Sequence, residues 1–140
     1  MDPYANQTEA LLLNYLAGSE VGPKTYAYNN FGYGLLGIAL VRADGSDSYL
    51  SLVLKYILKP LGMKSTYISL TSEQAKHFAS PYDIAFNKVK PRHMPAVPAA
   101  GALRATLPDM MRFAEAALNP DPITSLGKAF QLSQQPIAKV

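Results

Sequence analysis

The stretch from Phe31 to Ala43 reads FGYGLLGIALVRA, with one charge at Arg42 and glycines at 32, 34 and 37. It is apolar on almost every side, so the chain must place it inside. A helix interior penalises glycine by about 1 kcal/mol relative to alanine. Three glycines this close together point to a neighbouring backbone in near contact. This helix is therefore expected to be the most buried of the chain, closed by Asp44-Gly45-Ser46.

Other helices are marked by caps and spacing. Asn6 with Glu9 three residues on suggests a box for a helix over 7–17, with Leu11, Leu12, Tyr15 and Leu16 as its stripe. A helix over 48–59 carries Leu50, Leu54, Ile57 and Leu58 and stops at Pro60. Thr71 and Gln74 form a capping box for 72–79. Thr106 is expected to cap 107–118, with Asp109 meeting the helix dipole, and a last helix covers 124–135. Prolines at 81, 91, 95 and 98 make 80–105 a long irregular loop, with room for a short hairpin at 84–89. The fold class is mainly α, with little strand, in one domain spanning 1–140.

Composition excludes several classes. The chain is 49% hydrophobic and 16% charged, which is enough apolar material for a core. No stretch of eighteen apolar residues occurs, so no membrane span is expected. There is no cysteine, and His77 and His93 lack acidic partners at ligand spacing, so no metal or other cofactor is expected. The net charge of +3 is scattered, and its longest cluster, at 88–92, has no stacking aromatic, so nucleic acid is not an expected partner. Met1-Asp2-Pro3-Tyr4 has neither the basic nor the apolar part of a signal peptide. Gly32 to Gly37 fits the letters G-x-G-x-x-G, but no predicted strand precedes it, so no dinucleotide site is inferred.

The chemistry-bearing segment is Tyr28-Asn29-Asn30-Phe31-Gly32-Tyr33-Gly34-Leu35-Leu36-Gly37. Pro60-Leu61-Gly62-Met63 follows, and later Gly101-Ala102-Leu103-Arg104-Ala105-Thr106-Leu107-Pro108-Asp109-Met110. On the residues alone, Tyr28 reads as packing aromatic surface and Asn30 as a helix cap. The ordered motifs, however, resemble the serine β-lactamase and penicillin-binding-protein family. The nearest branch is the class C β-lactamases with their esterase and D-Ala-D-Ala peptidase relatives. That resemblance implies a fold in which an all-α part is inserted into an α/β part, with the active site in the cleft between them. It implies that Tyr28 shuttles a proton and that Asn30 holds substrate. Ala100 stands where class C enzymes often carry an aromatic wall beside the glycine matched by Gly101, which favours a roomier site for esters or peptidoglycan-like acyl groups.

The family nucleophile, Ser-x-x-Lys upstream of the tyrosine, does not precede Tyr28, and no Lys-Thr-Gly strand motif occurs. The literal match Ser125-Leu126-Gly127-Lys128 stands in the wrong order and reads as an ordinary helix. The expectation is a helical part of a larger serine hydrolase, inactive alone, whose partners are the α/β half and a small acyl substrate: a β-lactam, ester or D-Ala peptide. Its cleft face is expected to be apolar and open to self-association. A periplasmic or secreted location is expected if a signal peptide precedes it, and a cytoplasmic one if none does. The competing reading is a non-catalytic helical binding module.

Overall fold

The computed structural model describes residues 4–20, 22–23 and 26–136. Among the described residues, six α-helices carry the fold: α1 Glu9–Ala17, α2 Asn30–Asp44, α3 Tyr49–Val53, α4 Ser72–Lys76, α5 Leu107–Leu118 and α6 Ser125–Ser133. Two short antiparallel strands, β1 Thr66–Tyr67 and β2 Arg104–Ala105, pair Thr66 with Ala105 and Tyr67 with Arg104. The mainly helical class is as the sequence implies.

Local chemistry sets most helix ends, with corrections. The cap of α1 is Thr8, not Asn6; its hydroxyl accepts from Leu11 N–H at 3.2 Å. A turn from Tyr4 O to Gln7 N–H takes up the residues around Asn6. Glu9 then becomes the first helical residue and pairs with Arg42 of α2. Gly45, at φ 71, ends α2, with N–H bonds from Gly45 to Arg42 O and from Ser46 to Val41 O. The Thr71–Gln74 box forms as read, but α4 ends at Lys76 rather than 79. At 48–59 the single expected helix changes pitch, passing from α3 into a π turn over Leu54–Leu58. Pro60 has no N–H to give Tyr56 O, and Lys59 N–H reaches back to Leu54 O at 3.0 Å, which widens the turn.

Two apolar clusters hold the elements together. Leu12, Met94, Ala96, Val97 and Ala102 form one, joined by Phe31, Leu35 and Ile38 from α2. Val53, Leu58 and Met63 form the other, joined by Phe113, whose ring meets Phe130 edge-on at 5.2 Å. The glycine-rich helix is not buried all round as expected. Gly34 and Gly37 are buried, whereas Tyr33, Leu36 and Leu40 form an exposed stripe on its other side. On α5 the periodic residues Leu107, Met110, Met111 and Leu118 likewise face outward, and Asp109 is the residue it buries. No described helix is long and apolar enough to cross a membrane.

Candidate active site

The site starts where an extended segment enters α2. Asn29 is the cap: φ −146 and ψ 101 keep it extended, and its Oδ1 accepts from Gly32 N–H at 3.1 Å. The capping role that the residues alone gave to Asn30 therefore belongs to its neighbour. Asn30 is the first helical residue, and its side chain is turned to another task. Its Nδ2 donates to the Tyr4 hydroxyl at 2.9 Å in a partly buried setting, across 26 residues of chain. Tyr4 was not legible as a site residue, because no local spacing relates it to Asn30.

Tyr28 stands one residue before the cap and is 77% exposed, so its phenol faces solvent. The first turn of α2 contains no acid. The positive end of its dipole is therefore left without a carboxylate partner in that turn. Beside this entry lies an open groove of about 420 Å³ between α1 and the loop, lined by Gln7, Leu11, Leu12, Tyr15, Asn29 and Phe31. Tyr15 and Phe31 fix one wall with an edge-on contact at 5.1 Å.

Ala100 and Gly101 sit on the 3-10 turn Pro98–Ala100 and its exit. Ala100 N–H donates to Val97 O at 3.0 Å, and its methyl packs against the first core cluster. Gly101 adopts φ 150, a backbone state that side chains disfavour. This turn rides directly on α2. A Cβ at Gly34 would overlap the Val97 side chain and lie 3.2 Å from its Cα, and one at Gly37 would overlap the Ala99 methyl. The glycines thus let the 97–101 backbone lie against the helix that Tyr28 and Asn30 lead into. The four residues singled out in the sequence lie on two segments of one packed unit.

Supporting residues lie further out. Arg104 donates to the carbonyls of Ile68 and Arg92 and sits 5.7 Å from the Phe78 ring, linking β2 to the segment after β1 and to the middle of the long loop. Asp109, 2% exposed, accepts from Ser65 N–H at 2.7 Å and Thr66 Oγ1 at 2.8 Å and pairs with Arg112 at 3.0 Å. Burial pushes its carboxyl up, but those donors and the guanidinium outweigh burial and hold it below the usual carboxylate range. Asp44, which accepts from Lys55, Ser46 and Tyr56, is held well below that range too. Ser125 opens α6 behind the cap Thr124, and Gly127 of the same motif is pressed on the Asp121 backbone. Among the described residues, no group of three or more His, Cys, Asp or Glu could hold a metal ion.

Comparison with known proteins places this architecture. The Beta-lactamase family model matches residues 2–137, and the chain belongs to that family. A beta-lactamase of Providencia stuartii is 30% identical over 110 residues, covering 79% of this chain and 28% of that protein. An unguisins hydrolase of Aspergillus violaceofuscus is 27% identical over 119 residues, covering 78% of this chain and 21% of that protein. Among solved structures, a D-alanine carboxypeptidase from Burkholderia cenocepacia superposes with TM-score 0.76 at 24% identity, over 93% of this chain and 38% of that one. A class C beta-lactamase from Rhodobacter sphaeroides gives 0.76 at 21% identity, over 95% and 38%. The chain spans about a quarter of the length of the curated relatives and little more than a third of the structures.

Proposed function

We propose that this chain forms the helical side of a serine hydrolase cleft. Tyr28 is its proton shuttle, Asn30 its substrate-holding amide, and Ala100 with Gly101 the border of the acyl pocket. In this reading a serine on an α/β half outside these 140 residues attacks the acyl carbon. Tyr28 carries the proton released by that serine to the departing group, and water then cleaves the acyl-enzyme. The observation that carries the reading is the pair at the start of α2. Tyr28 is exposed ahead of an unneutralised helix N-terminus, while Asn30 next to the cap is held by Tyr4 instead of capping. The outward stripe of Tyr33, Leu36 and Leu40 supports a covering α/β half, because an apolar surface of this kind is otherwise costly in water.

The substrate in this reading is a β-lactam, an ester or a D-Ala peptide. The small Ala100 leaves room that favours the latter two. The test is Tyr28→Phe in a longer protein that carries Ser-x-x-Lys ahead of this segment. A loss of about 10²–10⁴-fold in kcat is expected, with the urea midpoint unchanged. Full turnover by the Phe variant would remove Tyr28 from the chemistry and favour a non-catalytic binding module.

A further inference from the structure

Residues 81–89 form a hairpin that the cleft reading leaves unused. Tyr82 bridges Lys88 in antiparallel register, Val89 N–H donates to Pro81 O at 3.0 Å, and Asp83 N–H donates to Asn87 O at 3.0 Å. Phe86 N–H closes the turn on Asp83 O at 3.1 Å. The Asp83 carboxylate fixes the tip again: Oδ1 accepts from Ala85 and Asn87 N–H at 2.9 Å each, and Oδ2 accepts from Asn87 Nδ2 at 3.2 Å. This bonded tip holds Ile84 and Phe86 out into solvent, 103% and 87% exposed.

Phe86 has φ 60, alone among the described non-glycine residues in the left-handed region. A three-residue hairpin loop needs that state at its last position and is ordinarily filled by glycine. A bulky side chain there works against the backbone, and in water it gains nothing from burial. A residue that disfavours the fold on both counts has its use outside the fold. Lys88, Lys90 and Arg92 follow immediately, all exposed. No acid occurs between Asp83, taken up by the turn, and Asp109, buried against Arg112.

We propose that this hairpin docks on an anionic lipid surface, with Ile84 and Phe86 seated among the headgroups and Lys88, Lys90 and Arg92 on the lipid phosphates. A rigid apolar tip alone would suit many partners. Three cations directly behind it, on the acid-free stretch 84–108, outnumber the one carboxylate of the tip, Asp83, and select a surface that is both apolar at depth and densely negative. Attachment of this kind needs no spanning helix.

The test is flotation of the full chain with vesicles of phosphatidylcholine, alone or in equal parts with phosphatidylglycerol. Binding to the mixed vesicles that weakens with salt is expected, with little on the neutral ones. I84S/F86S and K88E/K90E should each lower the bound fraction by about tenfold, with circular dichroism unchanged. Phe86→Gly separates function from folding: it relieves the left-handed residue, so the urea midpoint should hold or rise while binding falls. Several results would overturn the proposal: no binding to mixed vesicles, equal binding to both kinds, or full binding by I84S/F86S. Binding to single-stranded DNA that I84S/F86S leaves intact, without vesicle binding, would give the cations to nucleic acid instead.

Discussion

Thr66 donates its hydroxyl to Asp109 Oδ2 at 2.8 Å, joining β1 to the first turn of α5 across 43 residues of chain. The same oxygen takes Ser65 N–H at 2.7 Å, and the other takes Arg112. Asp109→Ala would leave the buried Thr66 hydroxyl and the Ser65 amide without their acceptor. A loss of about 3 kcal/mol in a urea melt is expected, since hydrogen bonds to a charged group are the stronger kind and an orphaned donor stays unsolvated. A loss below about 0.5 kcal/mol would show that water replaces the carboxylate freely.

The same carboxylate predicts an acid-sensitive fold. Its folded pKa is depressed, so between the folded and unfolded values the unfolded chain binds more protons. The contribution is complete above about pH 4, where a free aspartate titrates, and is lost as pH falls through the folded value. Urea midpoints followed from about pH 6 downward, through the free aspartate range, should fall less steeply for Asp109→Asn than for the unaltered chain. Asp44 and Asp83, also depressed, supply the slope that remains.

Gly37 tests the seat of the 97–101 turn on α2. A Cβ there would overlap the Ala99 methyl and meet the Tyr49 ring at 3.6 Å. Gly37→Leu is expected to destabilise by about 1–3 kcal/mol through overpacking. Gly37→Ala should lose less, and Ala99→Gly should recover part of that loss, because the two sites share one clash. A neutral Gly37→Leu would mean that the turn lifts off the helix easily.

What the sequence made legible is what acts locally. The Thr71–Gln74 box, the Gly45 stop and the helices near Pro60 and Pro108 are all written within a few residues of where they act. Asn6 and Thr8 lie two residues apart with similar capping chemistry, and only the Tyr4–Gln7 turn decides between them. Asp109 stands in the first turn of α5, where its spacing puts it against the dipole, but its partners Ser65 and Thr66 lie on another segment and leave no local mark. The periodicity of α5 marks an apolar face without saying what covers it, and that face is exposed. The candidate site divides the same way. Tyr28-Asn29-Asn30 is a contiguous motif, whereas the Tyr4 contact and the glycine seat for Val97 and Ala99 need the fold.

Ser125-Leu126-Gly127-Lys128 carries the letters of a nucleophile motif, and its packing predicts that it is not one. A Cβ at Gly127 would collide with the Asp121 backbone, 2.7 Å from its carbonyl carbon, so this glycine is there to let α6 approach the preceding turn. Gly127→Ala should destabilise the chain by about 1–3 kcal/mol. The chain alone should hydrolyse neither a chromogenic cephalosporin nor a nitrophenyl ester above background. A covalent adduct on Ser125, found by mass spectrometry, would reverse this assignment.

Asn29 and Asn30 stand side by side and should fail in different ways. Asn29 holds the Gly32 amide, so Asn29→Ala removes a cap and should lower stability by about 1 kcal/mol. Asn29→Asp keeps the acceptor at the positive helix end and should restore that loss. Asn30 caps nothing and reaches Tyr4 at 2.9 Å, a neutral bond in a partly buried place. Its loss should lower stability by no more than about 1 kcal/mol, and Tyr4→Phe should reproduce the effect. In a longer, active protein the order reverses. Asn30→Ala should depress kcat/KM far more than Asn29→Ala, because only Asn30 offers substrate an amide in the proposed cleft. Equal kinetic losses from the two would mean that both act through the shape of the loop, and Asn30 would lose its role as a substrate ligand.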